Sequence, residues 1–120
     1  MTPKELVLDF YKNDLMLHKS EVTEFLHDDL IIEWNSSKGF VQMKKEDVLN
    51  LSDELSKAYV RSKMRITHLI AEDNTVSVRY SHFVKTIENP REEMLLAHFF
   101  VIWEIKDGKL YRGFQMSQFS

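Results

Sequence analysis

The sequence predicts an α+β fold, with helices packed on one face of a curved antiparallel sheet. Three observations carry that expectation. Apolar residues recur at helical spacing before residue 60 and at strand spacing after it. Four long β-type segments, 62–72, 75–88, 93–106 and 109–119, complete the chain. Short turn signals separate them, and Asp107-Gly108 is the strongest of these.

In chain order, Thr2-Pro3-Lys4-Glu5 is a helix start. Thr2 caps, Pro3 suits the first turn, and Glu5 completes a capping box. Leu6, Val7, Phe10, Tyr11 and Leu17 then recur at helical spacing. A break follows at His18-Lys19, and Ser20 is placed to cap a second short helix with Val22, Phe25 and Leu26 on its apolar face. Asp28-Asp29 ends that helix and begins a turn. Leu30–Asn35 is a short strand, which breaks at Ser36-Ser37-Lys38-Gly39. A third helix starts near Lys44 and carries Val48, Leu51, Leu55, Ala58 and Tyr59 on one stripe. The four remaining strands form a meander. They turn at Glu72-Asp73-Asn74-Thr75, at Glu88-Asn89-Pro90-Arg91 and at Lys106-Asp107-Gly108-Lys109.

Composition narrows the function classes. The 120 residues read as one domain, 1–120, without linker, internal repeat or low-complexity tract. Eight Phe, four Tyr and two Trp supply large side chains to bury. With no Cys there is no disulfide and no thiolate chemistry. A net charge of −3 without a basic block argues against nucleic acid as a partner. No apolar run reaches membrane-spanning length, and acids interrupt MTPKELVLDF, against a signal peptide. The expectation is a soluble cytoplasmic domain. Neither a phosphate loop nor a zinc spacing is present, so no cofactor and no metal is assigned. Glu33 and Glu104 offer carboxylates, but at no spacing that specifies an acid/base pair.

The segments LVLDFYKND, FLHDDLIIEW and FVIWEIKDGKLYRGF, in this order and at this chain length, resemble the nuclear transport factor 2-like (cystatin-like) superfamily and, within it, the SnoaL-like proteins. The resemblance covers nearly the whole chain. It implies a cone: a strongly bent sheet wrapped around the first helix, with a deep apolar pocket at the open end. It also implies a homodimer through the outer sheet face. The superfamily spans ketosteroid isomerase, polyketide cyclases, limonene epoxide hydrolase, dehydratases and non-catalytic binding modules, so fold alone selects no function. The isomerase members carry an Asp base at the end of the first strand, a Tyr in the first helix and a second acid on a late strand. Matching the acid pair to Asp28-Asp29 places Trp34 at the base position, Phe10 at the Tyr position with Tyr11 one step off, and Ala97 or Val101 at the second acid. All three catalytic groups are absent, and an indole donates hydrogen bonds but accepts no proton.

The candidate site residues are Trp34, Arg79, His82, His98 and Trp103. Trp34 reads either as a pocket wall or as plain core. If Ile87 pairs with Glu93 across the Pro90 turn, His82 stands opposite His98, on a face with Val78, Tyr80, Val84, Leu96, Phe100 and Ile102. Such a pair binds a metal, carries protons or simply hydrogen-bonds, and two ligands fall short of a metal site. His68 falls opposite Arg79. The resemblance makes the other face concave, with Arg79 aimed into a pocket between Trp34 and Trp103 to meet a carboxylate or phosphate. Hydropathy instead makes Ser77, Arg79 and Ser81 a solvated face, and a one-residue slip exchanges the two faces. Three functions stay open. One is a module that binds a small, mostly apolar molecule. Another is a SnoaL-like enzyme using a set such as His98, Arg79 and Asn35. The third is a protein-interaction domain using Tyr80, Phe100 and Ile102.

Overall fold

The structure is a computed structural model that describes all 120 residues. The first helix, α1 (Pro3–Phe10), opens with the expected box: the Thr2 hydroxyl accepts from the Glu5 amide, and the Glu5 carboxylate accepts from the Thr2 amide, each at 3.1 Å. It buries Leu6, Val7 and Phe10, and Tyr11 follows at its end, also buried. A 3-10 turn holds Leu15–Leu17, and a single-turn helix, α2 (Lys19–Val22), follows it. The residue at the cap of α2 is His18 rather than Ser20, which lies inside the helix.

The strand expected at Leu30–Asn35 is longer. β1 spans Leu26–Ser36, so Asp28 and Asp29 lie within it and form no turn. They sit where its pairing skips residues between Leu26 and Ile31, and the Asp28 carboxylate reaches the Lys45 ammonium at 3.0 Å. A short strand absent from the sequence reading, β2 (Gly39–Lys44), returns antiparallel to β1. Gly39, with φ of 114°, makes the turn. Helix α3 (Lys45–Ala58) starts where the Lys44 amide donates to the Asp47 carboxylate at 2.8 Å. Val48 is buried on its inner stripe, Leu51 and Leu55 are half-buried, and Ala58 is exposed. The Ser52 hydroxyl donates to the Met16 carbonyl at 2.6 Å and fixes α3 over the 3-10 turn.

Four strands complete the chain: β3 (Tyr59–Glu72), β4 (Thr75–Thr86), β5 (Met94–Lys106) and β6 (Lys109–Phe119). They form the expected meander, and His68 pairs with Arg79. The sheet order is β2-β1-β6-β5-β4-β3, with β1 parallel to β6 and every other pair antiparallel. Register shifts interrupt four of the five pairings, and such bulges bend a strand and increase its twist. The inner face carries Val76, Val78, Tyr80, Val101, Trp103 and Ile105, packed on α1 and α3. No helix is long and apolar enough to cross a membrane.

One of those shifts decides which way the middle strands face. His82 pairs with Ala97 and Phe83 with Leu95, so Leu96 is an extra residue on β5. The pairing over residues 75–82 is therefore one residue away from the His82–His98 register. His98 pairs with Ser81 instead. On β4 the inner residues are Val76, Val78, Tyr80, His82 and Val84, while Ser77, Arg79 and Ser81 face outward, as hydropathy indicated. On β5 the inner residues are Ala97, Phe99, Val101 and Trp103, as the resemblance implied.

Trp103 is 1% exposed, and burying an indole of this size removes about 4–6 kcal/mol worth of apolar surface from water. Its cross-strand partner is Gly113, and a Cβ there would lie 2.6 Å from the indole ring. Gly113→Ala is expected to lower stability by about 1–3 kcal/mol, because neither the ring nor the strand can withdraw. Urea unfolding of wild type and variant, compared at their midpoints, checks this.

Candidate functional site

Between the inner sheet face and α3 lies a cavity in two joined chambers, of about 80 Å³ and about 200 Å³. Trp34, Leu51, Leu55, His82 and Phe99 line both. The inner chamber is bounded by 16 residues, of which 14 are hydrophobic. The larger chamber approaches the lower end of small-molecule pockets, roughly 300 Å³.

Trp34 stands on the inner face of β1, half-buried, and its indole N–H donates to the Ser117 hydroxyl at 2.8 Å. That bond turns the ring edge toward β6 and leaves its face against Phe99, 6.3 Å away between centroids. Phe99 in turn stacks on Tyr80, with centroids 4.9 Å apart and planes within 10°. These rings form one aromatic wall, stacked at Tyr80 and Phe99 and tilted by 37° at Trp34. Trp103 closes the floor, and its indole N–H donates to the Tyr11 hydroxyl at 2.9 Å. Burial pushes the Tyr11 phenol well above the ordinary range, against the smaller opposing pull of the Trp103 bond. Burial likewise raises Tyr80, and the neighbouring Tyr11 adds to it. Both phenols therefore stay neutral at physiological pH.

His82 is the polar group between the chambers. It is 4% exposed, and its Nε2 lies 2.7 Å from the Ser62 hydroxyl, itself buried. Burial lowers its pKa from 6.5 to about 4, so the ring is a neutral imidazole at pH 7. Ser62 is held from behind by Asp14. The Ser62 amide donates to the Asp14 carboxylate at 2.9 Å, and the Asp14 amide donates to the Ser62 carbonyl at 2.7 Å. The other carboxylate oxygen of Asp14 accepts from Arg61 at 2.7 Å.

Three of the five residues singled out in the sequence, Trp34, His82 and Trp103, thus meet at the cavity. Arg79 and His98 do not. They stand on the outer face, where Arg79 donates to the Thr67 hydroxyl at 2.9 Å and His98 Nδ1 lies 2.8 Å from the Ser81 hydroxyl. The extra residue Leu96 is the reason, since it puts His82 and His98 on opposite sides of the sheet. Asn35 is exposed on the outer side as well, and Tyr80, expected on the outer face, is buried inside. The positions matched to the isomerase acids, Ala97 and Val101, are buried on the inner face and carry no acid. Ser62, Tyr11 and Phe99 were not named as site residues from the sequence. Ser62 reaches His82 on the diagonal across β3 and β4, because its direct partner is Val84, and only the register reveals that relation.

The fold recurs among solved structures. IdmH, a candidate polyketide cyclase from Streptomyces antibioticus, superposes with a TM-score of 0.75 at 11% identity, over 98% of this chain and 92% of its own. A candidate SnoaL-like polyketide cyclase from Shewanella denitrificans gives 0.72 at 9% identity, over 96% and 89%. An NTF2-like protein of unknown function from Burkholderia pseudomallei gives 0.66 at 13% identity, over 100% and 92%. No protein-family model and no curated protein matches the sequence. The chain has the nuclear transport factor 2-like fold that its segment pattern resembles.

The neutral state of His82 has a consequence for stability. Above pH 6.5 the imidazole is neutral in both the folded and the unfolded chain. As pH falls from 6.5 toward 4, the unfolded chain takes up a proton that the folded chain refuses, so stability drops. The loss attributable to His82 is about 3 kcal/mol over that window, and it levels off below pH 4. Unfolding curves at stepped pH are expected to show this extra acid sensitivity in wild type and its disappearance in His82→Gln.

Proposed function

We propose that this chain is a SnoaL-like binding domain that holds a small, mostly apolar molecule in the cavity between the sheet and α3. The observation that carries the reading is the lining: a wall of Trp34, Phe99 and Tyr80 interrupted by one buried neutral imidazole. Close-packed interiors leave few voids larger than a water molecule, so a chamber of about 200 Å³, walled by Trp34, Leu51, Leu55 and Phe99 and rimmed by Ser36, Ser37, Lys38 and Ser117, suits a mostly apolar ligand with a polar end. The test uses 2-isopropylnaphthalene, an uncharged flat probe, followed by tryptophan fluorescence. Saturable binding is expected, and Leu55→Trp, which fills both chambers from α3, is expected to abolish it while the far-ultraviolet dichroism stays unchanged. Wild type that shows no saturable binding overturns the reading.

A second reading, an enzyme of the SnoaL-like kind, is favoured by one observation. His82 is a free base at neutral pH beside the cavity, whereas Arg79, His98 and Asn35 point away from it. Turnover of a carbonyl compound that is lost in His82→Gln would support this second reading over binding alone.

The partner surface we assign is the outer sheet face, to a second copy of this chain. Phe100 pairs with Met116 and Ile102 with Phe114 across β5 and β6, and all four are exposed. A contiguous apolar patch of this kind on a sheet is the usual mark of an interface. Sedimentation at micromolar concentration is expected to give a dimer, and Phe100→Glu combined with Met116→Glu a monomer. A monomeric wild type contradicts the assignment and leaves the face to a different protein.

A further inference from the structure

The charge of the cavity lining is concentrated at its rim. The two chambers are bounded by a single ammonium, that of Lys38, and by no carboxylate. His82, neutral at pH 7, adds no charge. Lys38 sits in the turn between β1 and β2, where Ser36 pairs with Gly39. Its amide donates to the Ser36 hydroxyl at 3.2 Å, which holds the turn. Its ammonium meets no acid, and none of the salt bridges of the protein includes it. It stands instead over the Phe119 ring, 5.5 Å from the centroid, beside the larger chamber. An aromatic face holds a cation in place without neutralising it.

Two hydroxyls on the same chamber add hydrogen-bond donors. Ser117 Oγ accepts from the Trp34 indole at 2.8 Å, and Ser37 Oγ accepts from the Phe119 amide at 3.4 Å. Indole and amide N–H groups only donate, so the direction of both bonds is fixed. Each serine keeps its own hydrogen and gives it to no acceptor within the protein. The rim thus offers an ammonium and two hydroxyl hydrogens, with no acid to take them. Further in, Trp34, Phe99, Leu51 and Leu55 are apolar walls. The group that suits this rim is an anion that accepts at several points. One ammonium balances one negative charge, and a dianionic phosphate would bring a surplus charge against the apolar walls. A carboxylate meets both conditions.

We propose that Lys38, Ser37 and Ser117 form a carboxylate subsite at the rim of the cavity, and that the ligand is a small amphipathic monocarboxylic acid whose apolar body lies against Trp34 and Phe99. Lys38 supplies the charge, and the two hydroxyls supply the direction. A ligand ammonium would meet like charge at the same place and is rejected. This rests on the cavity being a ligand site, and it adds the charge of the ligand's polar end.

The test compares three probes at pH 7 by tryptophan fluorescence titration: 2-naphthoate, its uncharged analogue 2-naphthamide, and 2-isopropylnaphthalene. At low salt, wild type is expected to bind the naphthoate roughly fivefold to tenfold more tightly than the amide, a preference that narrows as salt is raised. Lys38 is exposed in a turn, so Lys38→Gln leaves the core intact. In that variant the preference is expected to vanish while 2-isopropylnaphthalene binds as before. Equal binding of naphthoate and amide to wild type, or an unchanged preference in Lys38→Gln, overturns the subsite and leaves the cavity reading standing. Naphthoate binding that survives Leu55→Trp lies outside the cavity and overturns the subsite as well. Wild type that binds none of the three overturns the cavity reading itself, and the subsite with it.

Discussion

The bond from the Trp103 indole to the Tyr11 hydroxyl is the contact on which the rest of the structure depends. It joins the middle of the sheet to the end of α1 across the core, at 2.9 Å, with both residues buried. The indole can lie there because Gly113, on the next strand, offers no side chain. A small residue on one strand, a large one on its neighbour and a phenol on the helix together set the distance between sheet and α1. Phe10 packs edge-on against the same indole, with ring centroids 6.0 Å apart. On this anchored side the core is dense. Toward α3 the sheet and the half-buried Leu51 and Leu55 stand apart, and the cavity occupies the difference.

Polar groups in that interior have divided duties. Tyr11, Trp103, Trp34 and Ser117 satisfy one another, and so spend their hydrogen bonds on architecture. His82 spends one nitrogen on Ser62 and keeps the other. In an apolar surrounding an unpaired polar atom is costly, so one that persists calls for a specific explanation. The outer face follows the opposite logic. Arg79 and His98 are each tied to a neighbouring hydroxyl, while Phe100, Ile102, Phe114 and Met116 are left for another surface to cover. One sheet thus lines an apolar cavity on its inside and exposes an apolar patch on its outside.

Local signals made much of the fold legible in the sequence. The Thr2–Glu5 box lies within four residues, and Asp107-Gly108 marks its hairpin because both residues adopt positive φ there, 55° and 70°. The short strand β2 escaped notice because all but one of its residues are exposed, so no inside–outside alternation is present to be read. The site was legible only in part. Trp34, His82 and Trp103, singled out because large or polar residues in apolar strands stand out by type alone, line the cavity. The orientation of Arg79 and His98 hung on Leu96, one extra residue whose insertion reverses a face and leaves no mark in composition. Ser62 was silent for a related reason. A serine in a strand is ordinary, and only its diagonal relation to His82 across β3 and β4 brings its hydroxyl to the imidazole.

The most direct test of the account is a crystal structure of the protein purified from cells without refolding, inspected between Trp34, Phe99 and His82. The account predicts residual density there, mostly apolar, lying along the aromatic wall, with a polar end. A cavity closed by inward rotation of Leu51, Leu55 and Trp34, with Nδ1 bonded to the protein itself, would contradict it.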